Sequence, residues 1–334
     1  MRESRFRRAL ESPVIWPFAG IVLLLVVNLI VRPSFLSLTV LDGHLYGLPI
    51  DVLKHGATTL VLALGMTLVI ATGGIDLSVG SVVAIAGAVA AMLFGHGVAS
   101  LPLIVGGALA AGAAAGLVNG VLVAKLGVQP IVATLILMVA GRGIAQLLTD
   151  GQVLVIRNPA FDFLGNGFVL GLPFTAVFAT LLYLVAHFVL RRSAAGLFIE
   201  AVGDNPEASR FAGLATARIK IVAYVVCGLC AAVAGIMAAA NIGAADAQRA
   251  GENTELDAIF AVVVGGTALT GGRFLLLGSF VGALLLQLLT TTLYSVGVPP
   301  AVASVPKALL ILTVCLLQSD RTRRWLKGLV GKKS

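Results

Sequence analysis

Charge is what this chain has least of: only 11% of its 334 residues are Asp, Glu, Lys or Arg, where soluble domains carry about 25%. Hydrophobic residues make up 59% and the mean hydropathy is +1.04. So little charge cannot clothe a water-facing surface, and so much apolar side chain demands burial, which excludes a soluble globular fold and points to the bilayer as solvent. Cysteine is nearly missing as well. Cys227, Cys230 and Cys315 all lie inside apolar segments, which excludes the disulfide framework of a small secreted domain. Cys227 and Cys230 form a C-x-x-C, but in a lipid-length segment without a neighbouring histidine, so both read as small buried hydrophobes rather than a redox or metal pair.

Catalytic signatures are missing too. The four histidines, His44, His55, His96 and His187, are scattered. There is no H-E-x-x-H, and Gly328 to Ser334, the stretch nearest to a phosphate-binding G-x-x-x-x-G-K-[ST] loop, has the wrong spacing. These absences predict a chain that is not an enzyme and holds no cofactor or metal of its own. The net charge of +8 gathers at the two chain ends and in one central loop, a distribution that suits a membrane surface better than nucleic acid.

What is there is a series of apolar runs. A membrane-crossing helix needs about 20 mostly apolar residues, and ten segments qualify: 14–31, 52–72, 77–94, 99–124, 128–148, 168–190, 219–240, 258–270, 274–296 and 301–318. The eighth is the shortest. The first has basic flanks but no small-residue cleavage site, so it reads as a retained span. With both termini inside, the inner side collects Arg2, Arg5, Arg7 and Arg8, then Lys125, the five basic residues of 191–220, Arg273 and six in the tail. The outer side is left with Arg32, Lys54, Arg157 and Arg249. That bias predicts an all-α polytopic membrane protein with both termini in the cytoplasm. The chain then reads as one transmembrane domain over 1–334: a cytoplasmic start at 1–13, a bundle over 14–318 with a cytoplasmic loop at 191–218, and a basic tail at 319–334. No loop is long enough for a further domain, so soluble chemistry has to come from partner chains.

The two halves share a pattern. Thr72-Gly73-Gly74, five residues, then Gly80-Ser81 matches Thr270-Gly271-Gly272, five residues, then Gly278-Ser279. Corresponding glycine breaks in two halves point to the pathway in transporters; coincidence between two tight glycine turns is the plain alternative. Asp76 is the only acid between the second and third segments, at the bilayer edge by this topology. A structural N-cap accepting from the N–H of Ser78 or Val79 and a gating or substrate role both fit it. Arg142, between Gly141 and Gly143, and Lys307, after Pro306, lie within spans; each either snorkels to the interface or faces a water-filled cavity. Gly112, Gly116 and Gly120 make a small face for close helix packing, with Asn119 beside it. Gln129-Pro130 opens the fifth segment with proline where its missing N–H costs nothing.

Within the loop at 191–218, Gly203-Asp204-Asn205-Pro206-Glu207 through Arg210 to Gly213 reads as a short capped helix: Asn205 as N-cap, Pro206 first, Glu207 at the positive end of the dipole, Gly213 as left-handed terminator. Two turns alone are marginal, so a partner's groove is favoured over the membrane surface, for which the apolar face is too small.

At this loop and at the turn around Asp76 the sequence resembles the permease subunits of ABC importers for monosaccharides, the ribose-type family. The resemblance rests on Gly-Gly-Ile-Asp-Leu-Ser-Val-Gly at 73–80, Gln-Pro-Ile-Val-Ala-Thr-Leu at 129–135, Ala-Val-Gly-x-Asn at 201–205 and Leu-Asp-Ala-Ile at 256–259. Ala71-Thr72, the run Ile136 to Gly143 and Gly271-Gly272-Arg273-Phe274 are most similar to the galactofuranose-type branch. One departure is Ser209, where the family often has alanine. The resemblance implies an ABC-importer permease fold in a bacterial inner membrane, paired with a second permease copy or a paralogue, a cytoplasmic ABC ATPase that binds ATP and Mg, and an extracytoplasmic sugar-binding protein. It makes Gly203, Asp204, Asn205, Pro206, Glu207, Arg210 and Gly213 the ATPase-coupling residues, and Asp76, Ser78, Asn119, Gln129, Thr134 and Arg142 candidates for the translocation path. A stand-alone secondary transporter or channel, and a membrane scaffold, are the competing classes; the first calls for coupling carboxylates deep in the spans.

Overall fold

A computed structural model describes residues 14–318. The basic segments 1–13 and 319–334, and the side chain of Cys315, lie outside the described residues. Thirteen α-helices are described: α1 (Ile15–Val31), α2 (Leu48–Ala71), α3 (Val79–Gly95), α4 (Leu101–Ala124), α5 (Pro130–Leu148), α6 (Pro159–Asn166), α7 (Phe174–Arg192), α8 (Ala194–Asp204), α9 (Pro206–Phe211), α10 (Thr216–Ile242), α11 (Thr254–Val264), α12 (Leu276–Ser295) and α13 (Pro300–Gln318). Six of them, α2, α4, α5, α7, α10 and α12, are long and apolar enough to cross a membrane.

Each of the ten apolar segments overlaps a helix, with two corrections. The segment at 168–190 starts late, because 168–173 folds into a hairpin, β4 (Phe168–Val169) against β5 (Leu172–Pro173), whose turn residues Leu170 and Gly171 both take positive φ. The eighth segment holds only α11, 11 residues or about 16 Å at 1.5 Å per residue, roughly half the hydrocarbon thickness. It stops at Gly265-Gly266, where Gly266 has φ +90°. The fold is not purely helical either. A hairpin pairs β1 (Thr39–Leu41) with β2 (His44–Tyr46) through Asp42-Gly43, and β3 (Val153–Val155) pairs with β6 (Ala244–Asp246). These strands lie in the loops read as outer. The β1–β2 hairpin meets β4–β5, with Leu45 donating to the Gly171 carbonyl at 2.9 Å and His44 stacked on Phe168 at 4.4 Å. This is the hairpin end of the molecule.

Among the long helices α2 and α10 are the most buried, and the largest fully buried side chain, Tyr224, belongs to α10. The glycine face of α4 packs on α10 as expected: a Cβ on Gly116 would come within 2.8 Å of the Val225 Cα, and one on Gly120 within 2.9 Å of the Ile221 Cα. On the periphery, Asn28 of α1 donates to Thr292 of α12 at 2.7 Å, a polar tie of the kind that holds helices in lipid. At the end opposite the hairpins, 191–218 is not a loop with one short helix. Two helices, α8 and α9, form an elbow between α7 and α10.

Candidate functional site

The elbow is built by local capping. The Asn205 carboxamide oxygen accepts the Ala208 N–H at 2.9 Å, and Pro206 opens α9. The helix ends in a paired C-terminal motif: Leu214 donates to the Ser209 carbonyl and Gly213 to that of Arg210, each at 3.0 Å, with Gly213 at φ +87°. The helical residues are 206–211, shorter than the sequence predicts. Asp204, Pro206, Glu207 and Arg210 are exposed, and Phe211 is 84% exposed with the Arg210 guanidinium 5.7 Å from its ring centroid. Ser209 is the buried exception. Its hydroxyl donates to the Ala201 carbonyl at 2.8 Å and fastens α9 to α8.

Behind α9, the end of α8 rests on both Thr-Gly-Gly turns. Gly203 has no room for a Cβ, which would run into the Ala71 carbonyl at the end of α2 and come within 2.6 Å of the Gly272 nitrogen. Gly272 donates to that same Ala71 carbonyl at 3.1 Å. A Cβ on Gly271 would lie 2.9 Å from the Gly73 Cα and 3.1 Å from the Gly203 carbonyl oxygen. The matching turns of the two halves therefore touch, with the elbow against their junction.

From Gly73 and Gly74 the backbone folds back into the bundle. Asp76 is enclosed by protein, 2% exposed. One carboxylate oxygen accepts the Ser78 N–H at 2.9 Å and the Ser78 hydroxyl at 2.6 Å. Asn119 of α4 donates to the same oxygen at 3.4 Å and to the Ser78 hydroxyl at 2.9 Å, and the Cys227 thiol of α10 lies beside the carboxylate. Tyr224 reaches the Ile75 carbonyl at 3.5 Å and Thr134 of α5 does so at 3.4 Å. A buried carboxylate without a counter-ion needs such a set of donors. As an acceptor from Ser78, Asp76 does what the capping alternative asks, but α3 starts only at Val79 and Ser78 holds its N-cap position.

Just beyond the knot two helix starts meet. At Gly80, in the first turn of α3, a Cβ would run into the Gly251 carbonyl and the Glu255 carboxylate, and Gly251 lies three residues before the start of α11. Two N-terminal ends, each with unpaired N–H groups and positive dipole, thus converge, with Asp76 and Glu255 as their acids. Arg142 of α5 donates to the Ala247 and Ala250 carbonyls of the segment that feeds α11 and lies close enough to Glu255 to interact electrostatically. Lys307 pairs with Asp257 of α11 at 3.0 Å.

A glycine-broken pair of helices around a buried acid is a transporter arrangement, and known proteins agree. The family described as "Branched-chain amino acid transport system / permease component" matches residues 48–315. The chain belongs to this permease family. Its relatives include the galactofuranose transporter permease protein YtfT of Escherichia coli K12, 49% identical over 98% of this chain and 94% of the relative. The fructose import permease protein FruF of Bifidobacterium longum is 39% identical with the same coverage. The ribose import permease protein RbsC of Escherichia coli K12 is 40% identical over 81% of this chain and 85% of the relative. No solved structure matches. The permease is thus a multi-pass membrane protein of a transport family.

Of the six path candidates read from the sequence, the permease brings four together, Asp76, Ser78, Asn119 and Thr134. Arg142 sits apart, clamped to the approach of α11. Gln129 joins neither group; it is exposed, at the N-cap of α5 without a capping bond. The sequence reading missed Tyr224, Cys227, Glu255 and the Gly80–Gly251 contact. Glu255 and Asp257, opening the one short apolar segment, were the available signal. Cys227 and Cys230 are buried free thiols, and among the described residues no three His, Cys, Asp or Glu converge as metal ligands.

Proposed function

We propose that the permease is the membrane-crossing subunit of an ATP-driven monosaccharide importer in a bacterial inner membrane, with both termini in the cytoplasm and about ten membrane segments. The reading rests on the elbow: an exposed, capped helix bonded through Ser209 to α8, whose last glycine bears on both Thr-Gly-Gly turns. A cytoplasmic ABC ATPase, holding ATP and Mg, docks on 203–213 and pushes there. The push reaches both half-helix starts through Gly203, because backbone packed against backbone cannot yield as a flexible side chain would. The Asp76 knot carries it on to α4 and α10. An extracytoplasmic binding protein delivers the sugar at the hairpin end, and a second permease copy or a paralogue completes the pore. The relatives' names support a sugar over the amino acid of the family description. ATP hydrolysis belongs to the partner, not to this chain.

A stand-alone secondary transporter is the second reading, favoured by the fully buried carboxylate of Asp76. Proteoliposome uptake with the permease, its ATPase and its binding protein separates the two. Uptake that needs all three and falls at least about tenfold in Arg210→Glu/Phe211→Ala, with an unchanged Tm, supports the importer. Equal uptake without the ATPase sinks it and promotes the secondary transporter.

A further inference from the structure

In a chain so short of charge, a polar recess opens at the hairpin end. It is a cavity of about 830 Å³ between the start of α2, the approach to α11, the far half of α12 and α13. Asp51, Glu252, Asp257, Gln287, Tyr294 and Lys307 line it. Asp257 and Lys307 are paired, whereas the carboxylates of Asp51 and Glu252 and the Tyr294 hydroxyl make no hydrogen bond among the described residues. Leu48 is the only aliphatic lining residue. By contrast the cavity of about 450 Å³ between α2, α7, α8 and α10 is lined almost wholly by apolar side chains.

We propose that this recess is a sugar subsite on the permease itself, the place where a neutral monosaccharide rests between binding protein and pore. The inference rests on the permease reading above and names where that substrate binds. The chemistry selects the ligand class. Unpaired carboxylates accept from hydroxyl groups, Gln287 both donates and accepts, and Lys307 donates; together they match a ring bearing hydroxyls on every edge. Tyr294, about half exposed at 49%, offers an amphipathic ring face. Two cations, Arg32 and Lys307, stand against three acids, Asp51, Glu252 and Asp257, so the lining is close to neutral and gives no hold on an anionic sugar phosphate. A branched-chain amino acid would set its aliphatic side chain against carboxylates and an amide, where apolar burial is lost. The recess is also placed for passage: Glu252 and Asp257 flank the start of α11, beside the meeting point of the two half-helices.

Saturation-transfer NMR on the permease in nanodiscs tests the subsite with D-galactose, D-ribose, D-fructose and L-leucine as probes. The expected result is transfer to at least one sugar and none to leucine, with the sugar signal falling about tenfold in Gln287→Leu and Asp51→Ala, since a site built to bond hydroxyls discriminates strongly when one partner is lost. Thr291→Val and Tyr294→Phe replace any variant that does not fold. No transfer to any sugar, an unchanged sugar signal in folded variants, or preferential transfer to leucine overturns the proposal. ATP-driven uptake by the assembled importer separates its failure from that of the permease reading. Wild-type KM in every folded variant sinks the subsite alone, whereas no sugar uptake by the wild type sinks the permease reading.

Discussion

The turns at 72–81 and 270–279 share their threonine, their glycines and their serine, yet what each buries differs. Counting from the threonine, Asp76 corresponds to Phe274 and Ser78 to Leu276, and all four are buried. One turn ends in a polar knot drawing donors from α4 and α10; the other plugs the equivalent space with an aromatic ring and a leucine. The shared residues serve shared needs. Gly80 and Gly278 each let another backbone approach closely, at Gly251 and Gly265 respectively. Ser81 and Ser279 each bond back to a carbonyl of the preceding turn, at 2.8 and 3.3 Å. The difference teaches that the two turns share a backbone geometry while what they bury is free to differ: one encloses a network of side-chain bonds, the other chiefly packed apolar side chains.

The sharpest way to break this asymmetry is Phe274→Asp, which gives the second turn an acid without donors. An unpaired buried carboxylate costs about 3–5 kcal/mol, and the expected outcome is loss of the monodisperse peak in size-exclusion chromatography. A well-folded variant would show that the second turn is wetter than its burial implies. Next comes Gly203→Ala, which drives a methyl into the junction that both turns share. Overpacking against backbone costs roughly 1–3 kcal/mol; the Tm should fall, as read by a thiol-reactive dye reporting exposure of Cys227 and Cys230, and ATPase stimulation should fall further than that loss explains. The smallest effect is expected for Thr67→Val, which removes the 2.8 Å bond from α2 to Ser279 and costs about 0.5–1.5 kcal/mol. It should lower the Tm slightly and leave uptake unchanged; an uptake defect would mean that this bond matters to transport as well as to packing.

Local chemistry was legible in the sequence and long-range chemistry was not. Asn205, Pro206 and Gly213 announce α9 because capping is decided within a few residues. The glycine spacing of α4 announces its packing face for the same reason. Helix α8 escaped notice because Ile199 and Val202, its main buried residues, lie in a short stretch whose apolar face has meaning only once α2 and α10 are beside it. The partners of Asp76 were not legible: glycine at 73 and 74 permits a tight turn, but the donors that enclose the carboxylate, Asn119 among them, are far away in sequence. The short eighth segment was visible as an oddity, and its partner at Gly80 was not.

The meeting of α3 and α11 has an electrical consequence. Helix α11, at 11 residues, is about 16 Å long, well short of about 30 Å of hydrocarbon. The positive N-terminal poles of α3 and α11 add where Gly80 meets Gly251, and a charge placed there interacts with both dipoles. With Glu255 against Gly80 and Arg142 electrostatically coupled to it, removing either charge leaves the other unbalanced at that junction.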